Sequence, residues 1–210
     1  MENFYYSLTS EQDKESLFKA LKKVDSLGIF KPENTSLSVE SVCFYSNCKI
    51  LKATSLTSIP PYTDRFLMKR DSSDWWLVRL AEIEWKEQIF EFNSKAGVVI
   101  NSDTVIKYLK FALDLLFIKT KDANGTLRLI DGKYDVKITR NAPEKEKEVY
   151  EIVRPARVKQ VGKVFECDAI VFHDHKIYNH IITVDKNGVF DIKDEKLLAE
   201  NMPIRPILIY

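Results

Sequence analysis

The sequence predicts an α+β fold. The expected architecture is a bent antiparallel β-sheet with a packed central helix at about 102–117, an N-terminal amphipathic helix at about 11–27 and a C-terminal β-meander. Three observations carry this reading. Two segments place apolar residues at helical spacing beside capping residues. Short apolar runs rich in β-branched and aromatic residues are separated by turn residues, not by helices. The final third alternates strand and turn signals with no long helical pattern.

In the first helix, Leu17, Leu21, Val24 and Leu27 form one apolar stripe, widened by Phe18 and Ala20. Ser10 is a candidate N-cap, Asp13 stands at N3, and Gly28 suits the position just past the last turn. The other face carries Lys14, Lys19, Lys22 and Lys23, which reads as a solvated face or as a patch for an acidic partner or nucleic acid. Residues 39–56 read as a hairpin turning near Ser46-Asn47, with Val42, Phe44 and Ile50 marking its strands. The stretch Ile59-Pro60-Pro61-Tyr62 is irregular, because proline is rejected by helices and central strands. A polar turn, Lys69 to Asp74, leads to Trp75-Trp76-Leu77-Val78-Arg79-Leu80, apolar on both faces and so expected in the centre of a sheet. Ile89-Phe90-Glu91-Phe92 reads as another short strand.

The second helix is the best marked. Asn101 or Ser102 caps it, and Asp103 stands near its positive end. Val105, Ile106, Leu109, Leu113, Leu116 and Phe117 share a side, while Phe111 and Leu115 make other faces apolar, so the helix should be packed on a sheet. Asn124-Gly125 and Asp131-Gly132 bracket a strand, alternation runs from Tyr134 to Thr139, and residues 140–148 read as a solvated loop. The meander strands are Val164–Phe172, Lys176–Val184 and Val189–Ile192, joined at His173-Asp174-His175 and Asp185-Lys186-Asn187-Gly188. Asp194 to Glu200 reads as a short helix, and Ile204 to Tyr210 as a paired, extended end. The expectation is one compact unit of residues 1–210. The alternative is two lobes, 1–97 and 98–210, and the 140–148 loop is a further candidate boundary.

Composition narrows the function. The chain has 210 residues, 45% hydrophobic and 30% charged, which excludes a largely disordered chain. Lys plus Arg number 32 and Asp plus Glu 31, a net charge of +1, so a domain living on phosphate contacts is disfavoured. The 6 glycines are scattered, which leaves no dinucleotide fingerprint and no phosphate loop. No serine elbow and no zinc-protease helix motif occurs, and no cofactor is expected. The longest apolar stretch, Phe111 to Ile118, is broken by Asp114 and falls far short of the ~20 residues of a membrane span. The N-terminus lacks a basic segment followed by an apolar one, so the 3 cysteines are expected as reduced thiols in the cytoplasm.

Two constellations could carry chemistry. His173, His175 and His180 are the only histidines, and an H-x-H turn with a third imidazole on the returning strand is a candidate metal site for a hydrolase. In a hairpin, however, His180 falls opposite Ala169 or Ile170, ~10 Å or more from His175. Arg65, Lys69 and Arg70 beside Trp75 and Trp76 could hold an anionic ligand by charge and stacking. Against this, Trp75 and Trp76 are neighbours on a strand and should face opposite ways.

Two stretches resemble a bacterial protein family of unassigned activity. One is the helix Asn101 to Phe111 with the strand Gly125-Thr126-Leu127-Arg128-Leu129-Ile130. The other is the meander Ala169 to Phe190 leading to Asp194-Glu195-Lys196-Leu197 and Met202-Pro203. The resemblance covers roughly residues 98–204 and implies a bacterial origin, but no activity and no site residues. The resulting expectation is a non-catalytic binding or accessory protein with a protein partner or self-association. A metal-assisted hydrolase using the histidines is the alternative, and a weak nucleic-acid binder using Lys19, Lys22, Lys23, Arg65, Lys69 and Arg70 is a second.

Overall fold

The computed structural model describes residues 11–57, 59–71, 74–83, 86–119, 124–138, 145–202 and 204–206. The fold is α+β, with an N-terminal helix, antiparallel sheets and a strand-rich C-terminal part. The chain divides into two compact units, Met1–Ile83 with Lys95–Gly97, and Glu84–Ser94 with Val98–Tyr210. No helix among the described residues is long and apolar enough to cross a membrane.

The first unit begins with α1 (Glu11–Val24). A four-stranded antiparallel sheet follows, built from β1 (Thr35–Ser41), β2 (Lys49–Ser55), β3 (Tyr62–Asp71) and β4 (Asp74–Arg79), in the order β1-β2-β3-β4. The pairs Val39↔Leu51, Leu51↔Phe66 and Met68↔Leu77 set these apolar residues on one face. With Leu17, Ala20, Leu21 and Phe30 they form the core.

Two expectations change here. The first helix ends at Val24, not at residue 27. The buried Asp25 carboxylate accepts the Phe30 N–H at 2.7 Å, and Gly28 N–H donates to Asp25 O at 3.1 Å, so the chain turns away and leaves Leu27 71% exposed. The Trp75 segment is an edge strand rather than a central one. Its second apolar face is explained by α1, which packs chiefly against β4. The Trp75 indole N–H donates to Ser16 Oγ at 2.9 Å, and the Arg70 guanidinium lies 5.4 Å over the Trp75 ring and 3.0 Å from Asp13.

The second unit takes in most of α2 (Lys86–Ala96) and all of α3 (Val105–Leu115). The run expected as a strand at 89–92 is helical. Ile89, Phe92, Asn93 and Ala96 are buried at helical spacing, and the four-residue alternation was too short to distinguish a period of 2 from one of 3.6. In α3, the Asn101 side-chain oxygen accepts the N–H groups of Asp103 at 2.9 Å and Thr104 at 3.1 Å, so Asn101, not Ser102, organises the start. Tyr108, Leu109, Phe111, Ala112 and Leu113 are fully buried, as the apolar surround predicts.

Two short pairs follow along the chain: β5 (Phe117–Lys119) with β6 (Asn124–Thr126), and β8 (Val136–Ile138) with the C-terminal β13 (Ile204–Pro206). The main sheet contains β7 (Arg128–Ile130), β9 (Arg157–Val161), β10 (Val164–His173), β11 (Lys176–Asp185) and β12 (Phe190–Ala199). Its order is β12-β11-β10-β7, with β9 also on β10. α3 packs on β7. On the opposite face, α4 (Glu146–Ile152) sets Val149 against Ile130, Ile170 and Ile177. Residues 145–148 of the expected loop are therefore helical or adjoin the helix, and 140–144 lie outside the described residues.

The β10–β11 hairpin turns in two residues, Asp174 at φ 48° and His175 at φ 60°. Both being left-handed, this is the primed turn that matches strand twist. The short helix expected at 194–200 is instead the end of β12. That strand keeps its pairing with β11 across register shifts at Ile181/Ile182 and Ile177/Tyr178. A partner strand with open hydrogen-bonding groups outweighs the helix propensity of Asp194-Glu195-Lys196-Leu197.

One polar knot ties the β11–β12 turn to α2 and α3. The Tyr108 hydroxyl donates to Gly188 O at 2.5 Å, and Asn93 Nδ2 donates to Tyr108 Oη at 2.7 Å. Gly188 has φ +74°, and a Cβ there would stand 2.5 Å from Asn93 Nδ2 and 2.9 Å from the Tyr108 ring. Gly188→Ala should therefore cost at least ~2 kcal/mol, from the left-handed backbone and the clash together. Urea denaturation measures this, and a loss under ~0.5 kcal/mol would contradict the packing described.

Candidate binding groove

α1 covers only part of its sheet. Toward the β1 edge the face is overlaid by the loop after α1, and a groove of about 1010 Å³ remains between helix, loop and strand. Phe18, Phe30 and Leu37 supply apolar lining, and Pro32 and Thr35 stand at the loop-to-strand junction. Phe18 and Leu37 are half-buried while Phe30 is buried, so aromatic and aliphatic surface is open to a ligand without being exposed as a patch.

The rim is charged. Lys14, Lys19 and Lys22 come from α1 and Lys31 from the loop, with Glu15 and Glu33 among them. Spacings of 3 and 4 along α1 put Lys14, Phe18 and Lys22, and Glu15 with Lys19, on one side of the helix. Asp25 also lines the groove, but its carboxylate is turned inward to the Phe30 N–H. Lys19, Lys22 and Lys31 have no acidic partner among the described residues, so the rim stays positive. Lysine stems lie readily along apolar surface with the ammonium in water, which suits a groove that binds both chemistries.

The residues singled out from the sequence fall elsewhere. Arg70 and Trp75 are cross-strand partners on the α1 side, engaged in holding α1 to β4. Lys69 and Trp76 are partners on the opposite face, the face that Arg65 also shares. These five residues do not converge, and none lines the groove. Of the lysines noted on the first helix, Lys14, Lys19 and Lys22 line it and Lys23 does not. Phe30, Lys31 and Leu37 escaped sequence reading because they come from two other segments, brought beside α1 only by the fold.

The histidines divide two and one. His180 pairs with Ala169, one of the two partners the hairpin spacing allows. His173 and His180 are buried on the same face of the sheet, whereas His175 is exposed in the turn with its ring 6.4 Å from that of Phe172. Among the described residues no three or more His, Cys, Asp or Glu side chains are grouped to hold a metal. Of the free thiols, burial pushes Cys48 up to about 11 and Cys167 up to about 12, so neither is a thiolate nucleophile near neutrality.

No family model matches the chain, and no curated protein and no solved structure shows significant similarity to it.

His180 makes a measurable prediction. Its ring is 1% exposed, and Nε2 lies 3.0 Å from Glu195 Oε2 but out of line for a hydrogen bond. Burial holds its pKa below the ordinary 6.5, His173 pushes the same way, and Glu195 opposes both. The unfolded chain therefore takes up the proton first. The stability this group contributes is present above about pH 6.5 and is lost as pH falls toward the lower folded value, by at most ~1.4 kcal/mol per pH unit. His180→Leu should flatten the acid side of the stability profile measured by urea denaturation between pH 7.5 and 5. An unchanged slope would contradict a neutral, buried His180.

Proposed function

We propose that this protein is a non-catalytic binding module that takes a segment of a protein partner into the groove between α1 and β1. One observation carries the reading. The groove combines a half-open apolar lining from Phe18, Phe30 and Leu37 with a lysine rim, the mixture of apolar centre and polar border that protein recognition uses. The chemistry elsewhere accords with it: His175 stands apart from the buried His173 and His180, and the buried thiols are held protonated. Three free cysteines accord with a reducing bacterial cytoplasm as the setting.

The test uses tagged full-length protein and two charge-reversal variants, both checked for unchanged melting. Lys19→Glu/Lys22→Glu alters the rim, and Lys23→Glu/Lys49→Glu alters exposed lysines that do not line the groove. A stoichiometric partner retrieved by wild type and by the second variant, and lost at least ~10-fold by the first, is the expected result. A partner held equally by both variants, or none at all, contradicts the proposal.

A further inference from the structure

β1 is the edge of its sheet: among the described residues it pairs with β2 alone. Exposed edges are normally blunted by lysine, proline, a bulge or a covering element, because their unpaired N–H and C=O groups attract another strand. β1 reads Thr-Ser-Leu-Ser-Val-Glu-Ser, with Glu40 near its end as its one charged residue and neither lysine nor proline, and it pairs with β2 over seven residues without a register shift. α1 lies over the β4 side of the sheet face, so the space beside β1 is the part of that face it leaves open. This edge is also the one that meets the groove, because Thr35 and Leu37 belong to both.

We infer that the partner segment is extended and acidic, and that it binds by adding to β1 as a fifth strand of the sheet. This rests on the binding reading above and specifies its ligand. In strand addition the backbone of the incoming segment supplies affinity, and alternate side chains supply selectivity. Every second side chain of the segment would face the groove. There, carboxylates meet the ammonium groups of Lys19, Lys22 and Lys31, and apolar side chains meet Phe18, Phe30 and Leu37. On the other face the adjacent β1 side chains are Ser36, Ser38 and Glu40, with Lys52 one strand further in, so the acidic residues are assigned to the groove side, where Lys19, Lys22 and Lys31 stand. A nucleic acid fits less well. It has no strand-forming backbone to satisfy β1, and the chain's net charge of +1 gives it little long-range attraction.

The probe is a fluorescein-labelled peptide with Thr at alternate positions and Glu or Leu between them, titrated with the full chain and read by anisotropy. Three controls are a Lys-for-Glu peptide, the acidic peptide N-methylated at every second amide, and a thymidine oligonucleotide of equal charge. The expected result is saturable binding of the acidic peptide and at least ~10-fold weaker binding of all three controls. Hydrogen exchange at the amides of residues 35–41 should slow on binding. Equal binding of the N-methylated peptide overturns strand addition while leaving the groove as a binding site. Preference for the basic peptide or the oligonucleotide overturns the acidic assignment. No binding of the acidic peptide at ~1 mM overturns the inference as a whole, and the partner retrieval above then decides separately whether the groove binds protein.

Discussion

A single α-helix is about 10 Å across, and strands in a sheet are ~4.8 Å apart. One helix therefore cannot cover a four-stranded sheet, and much about the first unit follows from how α1 is placed on its own. It is drawn to the β4 side by three contacts at Ser16, Asp13 and the buried leucines, through Trp75, Arg70 and the sheet face. The β1 side is left to the loop after α1, where Asp25 holds the Phe30 amide and so sets Phe30 into the core. The remaining gap is the groove. Both its apolar lining and its lysine rim result from the same placement, since the side of α1 that lines the groove carries Phe18 between Lys14 and Lys22.

The second unit is organised on different terms. Its sheet is covered by helices on both faces, with α3 on β7 and α4 over Ile130, Ile170 and Ile177. Charge there is spent on internal fastening. Arg154, just beyond α4, reaches Asp168 at 2.6 Å and Asn179 at 2.7 Å, and Lys110 of α3 reaches Asp135 at 2.6 Å. Such paired groups, with Tyr108 and Asn93 saturated on the β11–β12 turn, leave little unsatisfied polarity to act on a ligand. Among the described residues the buried His173 Nε2 and the His180 ring, off-line from Glu195, stand without a hydrogen-bond partner, and the burial of His180 makes it a contributor to acid sensitivity.

Where the sequence carries long-range periodicity, the fold was legible in it. Leu17 and Leu21 mark α1, Leu109 and Leu113 mark α3, and the turn at Asp174-His175 gives the β10–β11 register to within one residue, His180 opposite Ala169 where Ala169 or Ile170 was expected. Short segments were not legible. Ile89 to Phe92 is too brief to reveal its period, and Asp194 to Leu197 has helix-forming residues that strand pairing overrides. The edge position of β4 was hidden because a helix can bury a second face as well as a neighbouring strand can. The groove was legible only as a row of lysines on the first helix. Phe30 and Leu37 had no local signal, since their proximity to Phe18 is a product of tertiary placement.

The most direct measurement is an amide NMR map of the full chain with the acidic alternating peptide. The account predicts shifts concentrated in residues 35–41, in the loop around Lys31 and on the Lys14–Lys22 side of α1. Shifts centred on β4 or on the second unit, or spread evenly over surface lysines, would contradict it.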